Sequence, residues 1–306
     1  MNMKFGINGT GLVQKASVEL IVDDADRARA DGFSSYWLAE HPTGGFDALT
    51  VLALVGARVP DIELGSAIVP TFPRHPMILA GQALTVNEAI DGRLTLGVGL
   101  SHKVMMAQLG INSDKPIRHL RDYLSILMPL INTGQVDYEG ETLSCKAEIF
   151  RVSDKPLSVV TAALGSQTLR VAGSRTQGTI LAWVGARTIE NHIAPKLFAA
   201  ADKAKRDKPR IIATLPLCVT DQPDRVRSLV TKNLAMYGEL PSYKAMFERE
   251  GVAGPGELAI IGNEAEVAER LRQLDQAGVT DFAVSEFTTS KDERSRTREF
   301  LCSLLA

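Results

Sequence analysis

Two histidines stand where a chain of this pattern can use an imidazole. His41 closes the run Ser35-Tyr36-Trp37-Leu38-Ala39-Glu40, and His102 follows Leu94-Thr95-Leu96-Gly97-Val98-Gly99-Leu100-Ser101. Both runs read as buried strands, so each ring is delivered to the carboxyl edge of a sheet, where it can donate to or accept from a ligand. The competing reading of each is a structural histidine satisfied by its neighbours. Glu40 can fix the His41 tautomer only indirectly, because adjacent residues of a strand point to opposite faces. His75, between Arg74 and Pro76, reads as the start of a helix, and His119 and His192 read as surface or packing groups within helices. No two of these histidines have metal-ligand spacing with a carboxylate, and no metal site is expected.

A second group of residues suits an anion. Ala163-Leu164-Gly165-Ser166 is a small turn from a strand into a helix start, which exposes backbone N–H groups and the positive helix end to a phosphate. The alternative is a tight turn with Ser166 as N-cap. Trp183 and Phe72, at strand ends, can wall an aromatic cofactor or belong to the core. Gly6-Ile7-Asn8-Gly9-Thr10-Gly11 invites comparison with a dinucleotide fingerprint, but from Gly9 the pattern runs Gly-x-Gly-x-x-Gln14 and lacks the third glycine. It reads better as a flexible loop above a barrel.

These residues need a scaffold of alternating strands and helices. Ile62 to Val69, closing on Pro70, is a strand; Met77 to Val86 is a helix with three-and-four apolar spacing; Leu94 to Leu100 is a strand apolar on both faces. Together they form a βαβ unit whose carboxyl ends release Ala67 to Pro70 and Gly99 to His102. Before it come strand one (Lys4 to Asn8), a helix (Val18 to Ala30), strand two (Ser35 to Glu40) and a helix (Ala48 to Val59). Helix four covers Pro116 to Ile131. Thr133 to Pro156 is too long for a plain connection, and Val136-Asp137-Tyr138 with Thr142-Leu143 reads as a hairpin insertion. Strand five is Leu157 to Ala163, with a short helix to Gly173; strand six is Thr179 to Val184, with a helix from Thr188 to Ala204. Strand seven, Arg210 to Val219, opens a helical tract from Pro223 to Glu250 and a Gly/Pro link from Val252 to Gly256. A helix from Glu264 to Ala277, strand eight from Asp281 to Ser285 and a helix from Asp292 to Leu305 end the pattern. The expected class is α/β: one (β/α)8 TIM barrel over residues 1–306, with an insertion between helix four and strand five.

The totals agree with that size. The 306 residues are 45% apolar and 23% charged, with net charge −2, which argues against nucleic acid as principal partner. No apolar run approaches the ~20 residues that span a membrane, and the N-terminus lacks a basic-then-apolar signal, so a cytoplasmic site is expected. Three scattered cysteines without C-x-x-C fit a reducing compartment.

With Trp37 to His41, Leu64 to Ile68 with Arg74-His75-Pro76, Gly92 to Gly99, Ala162 to Gly165 and Ala172-Gly173 in this order, the chain resembles the bacterial luciferase-like family. Within it, the similarity is to the branch of oxidoreductases that use coenzyme F420, and it runs from Met3 to about Phe287. The resemblance implies a barrel that holds the deazaflavin at its carboxyl mouth, usually as a homodimer. It places a non-prolyl cis peptide at Ala67–Ile68 behind the ring, beside Gly99. It puts the phosphate-bearing tail against the strand-five turn, Ala163, Leu164, Gly165 and Ser166, and Ala162 is counted with the coenzyme-binding residues. His41, with His102, would trade a proton with a small-molecule substrate or polarise it. Sugar-phosphate dehydrogenases of the family carry a glutamate after strand four where this chain has Ser101-His102, so their acid/base arrangement does not transfer. FMN-dependent monooxygenation, as in the luciferases, and a non-catalytic ligand-binding barrel are the alternatives.

Overall fold

The computed structural model describes residues 1–13, 16–42, 44–150 and 154–305; Gln14 and residues 151–153 of the insertion lie outside the described residues. Eight parallel strands form the barrel: Lys4–Asn8, Ser35–Leu38, Glu63–Ser66, Leu94–Gly99, Ser158–Ala162, Gly178–Ala182, Arg210–Thr214 and Asp281–Glu286. The last pairs with the first through Lys4↔Asp281 to Ile7↔Val284, which closes the ring. Helices cover the outside, so the strands are buried on both faces; all six residues of Leu94–Gly99 are buried.

Side chains of alternate residues fill the interior. Trp37, Val160, Ile180, Ile212 and Ala283 form an inner cluster, with Ala67, Ile68 and Ala162 resting on it. Trp37 is fully buried and its indole donates to Ser35 Oγ at 2.8 Å. The indole fits because residue 65 is glycine: a Cβ there would lie 2.1 Å from the Trp37 ring.

At the amino ends of the strands, Arg210 joins Glu63 (2.9 Å) and Asp281 (2.8 Å), and Thr95 Oγ1 donates to Glu63 at 2.6 Å. Burial opposes the guanidinium's charge, yet its two carboxylate partners hold it firmly protonated. Arg210→Leu leaves two carboxylates facing each other without a cation. Because Arg210 and Glu63 keep about a quarter of their side-chain surface, solvent softens the loss. The expected cost is about 2–3 kcal/mol, read from chemical denaturation, and an unchanged midpoint would refute it.

The sequence pattern and the structure differ in several elements. Strand three is interrupted: the Ala67–Ile68 peptide is cis, and the chain resumes as Val69–Pro70, paired with Val98 and Gly99. Strand two ends at Leu38 rather than Glu40, and strand six at Ala182, because Trp183 takes φ 61°, outside the extended region. Strand seven breaks at Leu215, and Pro216–Val219 turns outward to pair with Ser285, Glu286 and a strand absent from the pattern, Ile260–Gly262. The tract from Pro223 is three helices, Pro223–Asn233, Ala235–Glu239 and Pro241–Glu250, since Leu240 precedes a proline and is driven extended (φ −77°, ψ 120°). The helix after strand six opens with Ala186–Thr188 and widens over Ile189–Ile193 before Ala194–Lys203; Pro195 cannot donate to the ordinary ladder. The insertion hairpin pairs Gln135–Glu139 with Ser144–Glu148, so Thr142 and Leu143 belong to its turn. Asp122 pins that turn, accepting from Thr142 N and Oγ1 at 2.7 Å each. Gly11 lies in a short helix, Thr10–Val13, and another helix, Lys103–Gln108, follows strand four.

Candidate active site

A hollow of about 470 Å³ opens at the carboxyl ends of the strands. Ala67, Ile68, Ala162, Leu164, Gly165, Trp183, His41 and His102 all line it. Gly99 stands just behind: a Cβ there would lie 3.0 Å from Ala162 and 3.1 Å from Ile68. Ala163 packs into the outer core, and Ser166 begins the helix Ser166–Arg175. The N-cap is therefore Gly165 and not Ser166; no side chain caps this end, and Thr168 Oγ1 instead donates to Gly165 O at 2.9 Å. Its first backbone N–H groups are the kind that receive an anion.

His192 braces this turn from outside. Its Nε2 lies 2.8 Å from Leu164 O, and the ring is only 6% exposed, so it is a packing group and not a surface one. Phe72, a candidate wall, instead stacks on His119 with ring centroids 3.8 Å apart. His119 Nε2 is 3.1 Å from Thr71 Oγ1, and burial pushes its imidazole down to about 4. His75 caps its helix, with Nδ1 accepting from Met77 N at 3.2 Å.

His119 gives the protein an acid sensitivity with a defined sign. The unfolded ring titrates near 6.5 and the folded one near 4, so the unfolded chain binds the extra proton between those values. The stability held by the neutral ring is whole above pH ~6.5 and falls away as pH drops toward 4, by on the order of 3 kcal/mol. His119→Gln should flatten that part of the stability profile; an identical acid slope in the variant would remove the assignment.

At the mouth itself, burial lowers the affinity of both His41 and His102 for a proton, and for His102 the neighbouring His41 adds to the effect. Two adjacent imidazoles are thus neutral near pH 7, each able to accept a proton at one nitrogen. Glu40 lines the hollow together with His41. The strand has ended at Leu38, so the alternation that would separate these two side chains no longer applies. Burial raises the Glu40 carboxyl, against the pull of Arg74 at 3.2 Å. Arg74 also holds Asp47 at 2.9 Å.

Several lining residues escaped the sequence pattern. Asn8, Thr214 and Ser285 come from strand ends, and Asn8 Nδ2 donates to Thr214 Oγ1 at 3.0 Å. Their positions at carboxyl termini of strands were the available signal. Tyr237 and Tyr243 come from the helices over the mouth. Rings run in contact from His102 to Tyr243 (5.3 Å), Tyr237 (5.8 Å) and Trp183 (5.1 Å). Ser101 and Trp183, which flank the hollow, are non-glycine residues with φ of 59° and 61°, a conformation kept only where surroundings enforce it. Among the described residues no group of three or more His, Cys, Asp or Glu is placed to hold a metal ion, and no helix is long and apolar enough to cross a membrane.

A family model described as luciferase-like monooxygenase matches residues 3–281. The 5,10-methylenetetrahydromethanopterin reductase of Archaeoglobus fulgidus is 24% identical over 320 residues, covering 91% of this chain and 92% of its own. The F420-dependent glucose-6-phosphate dehydrogenase of Segniliparus rotundus is 27% identical over 218 residues, 67% of this chain and 65% of its own. Among solved structures, the coenzyme F420 dependent tetrahydromethanopterin reductase from Methanopyrus kandleri superposes with a TM-score of 0.82 at 20% identity, covering 98% of this chain and 97% of that one.

Proposed function

The chain belongs to the luciferase-like monooxygenase family, and on that premise we propose that it is an oxidoreductase moving a hydride between coenzyme F420 and a small organic substrate. The observation that carries this reading is the single hollow into which Ala67, Ile68, Ala162, Gly165, Trp183 and both mouth histidines converge. The names of the relatives from Segniliparus rotundus and Methanopyrus kandleri, which include the coenzyme, support the choice of deazaflavin.

The residues present fit such a group. Ala67, Ile68 and Ala162 offer a small apolar seat above the Trp37 cluster. The uncapped helix start at Gly165 suits a phosphate. When bound, the deazaflavin supplies the hydride donor or acceptor, chemistry no side chain can perform. The chain orients it, keeps water from the reacting face with the aromatic wall, and moves the accompanying proton. His41 is the residue assigned to that proton, with His102 beside it.

A second reading, FMN-dependent monooxygenation, is favoured by the description of the matched family. Titrating the protein with each oxidised coenzyme and following fluorescence quenching separates the two. Coenzyme F420 is expected to saturate at least about tenfold below FMN, a difference of 1.4 kcal/mol. Tighter FMN binding would hand the site to the second reading, and no binding of either would make this a non-catalytic barrel.

A further inference from the structure

The hollow carries information about what else it holds. Among the described residues that line it, none is a lysine or an arginine. The guanidinium of Arg74 is committed to Glu40 and Asp47 on the far side of Glu40. Both mouth imidazoles are neutral near pH 7. With the Gly165 helix start taken by the coenzyme's phosphate, a phosphate or carboxylate on the substrate would leave water without meeting a cation, beside the Glu40 carboxyl, and an unpaired buried charge is strongly disfavoured.

The donors that the wall does offer are phenols. Among the described residues neither the Tyr237 nor the Tyr243 hydroxyl has a hydrogen-bond partner, although both side chains line the hollow. Burial keeps each in the protonated, donating form. Leu100, Met105 and Leu234 complete an apolar surround next to them.

Building on the oxidoreductase reading, we propose that the substrate is an uncharged compound with an apolar body and one accepting oxygen, such as a ketone, enone or the matching alcohol, recognised by the hydroxyls of Tyr237 and Tyr243. A sugar phosphate is excluded by the same wall. Tyr237 and Tyr243 are then the residues that set specificity, and the body of the substrate lies along the ring series from His102 to Trp183.

The test uses 2-cyclohexen-1-one and glucose 6-phosphate as probes, titrated by calorimetry and saturation-transfer NMR into the whole protein with and without coenzyme F420. The enone is expected to bind, and Tyr237→Phe, Tyr243→Phe or the pair to weaken it about three- to tenfold, the worth of a neutral hydrogen bond. Coenzyme affinity stays unchanged in these isosteric variants, which excludes a general loss of structure. Glucose 6-phosphate gives no detectable binding to the coenzyme-loaded protein, in which the Gly165 end of the hollow is filled. The proposal is overturned by glucose 6-phosphate binding to the coenzyme-loaded protein as well as the enone, by absence of enone binding, or by full enone affinity in all three variants. Enone binding by a protein that takes up no coenzyme would retire the deazaflavin reading and leave this one standing.

Discussion

His41→Asn lowers kcat by about 10²- to 10⁴-fold and leaves coenzyme affinity nearly unchanged: that is the expected result if this imidazole handles the proton that accompanies the hydride. Asparagine keeps a polar group of similar reach but cannot accept a proton at neutral pH. The pH profile adds a second readout. Because burial holds both mouth imidazoles below the ordinary range, the wild-type rate should stay level as pH falls through ~6.5 and decline only at more acid values, where the acceptor becomes protonated. His102→Asn should have a smaller effect and leave the acid limb in place, since burial and not the neighbouring ring holds the His41 imidazole down. A rate in the His41 variant within a few-fold of wild type would transfer the proton to another group.

The second large effect is on the seat itself. In Gly97→Ala the new methyl would lie 2.0 Å from Ser66 O and 3.4 Å from Ile68 Cγ2. The obstructing atom is backbone, and Ser66 Oγ is tied to both Gly97 O and Gly97 N at 2.9 Å, so neither strand can yield cheaply. The expected destabilisation is about 3 kcal/mol or more, with coenzyme capture impaired as Ala67 and Ile68 are displaced. Gly81→Ala provides the contrast. Gly81 lies in the helix Pro76–Ala89 with nothing within 4 Å of the added methyl, so that change should be neutral or stabilising by up to about 1 kcal/mol. Equal stability of the two variants would show that strands three and four are not in the close contact described.

The barrel was readable because its strands carry their own signal. Leu94 to Leu100 is apolar at all positions but Thr95 and wholly buried over Leu94–Gly99, and the turn after Ala162 holds a glycine that opens a helix without a side-chain cap. The βαβ unit brings Ala67, Ile68 and Gly99 together for the same reason: short connections leave parallel strands few ways to lie. The aromatic wall was not readable. Tyr237 and Tyr243 lie in a polar tract whose spacing looks like any amphipathic helix; the break at Leu240-Pro241 divides them between two short helices, and their place at the mouth is a matter of tertiary packing. Glu40 was misplaced because alternation was carried two residues past the end of a strand. Ser166 offers itself as a cap because hydroxyls usually cap, whereas here the glycine one residue earlier holds the N-cap position.

The indole of Trp37 and the Arg210 cluster beneath it stop the interior like a cork and a seal. Coenzyme and substrate that share the mouth above this floor must queue if they lie one over the other: whichever lies deeper arrives first and departs last. For two stacked guests the plugged end of the barrel, far from any atom that reacts, would impose a compulsory order of binding.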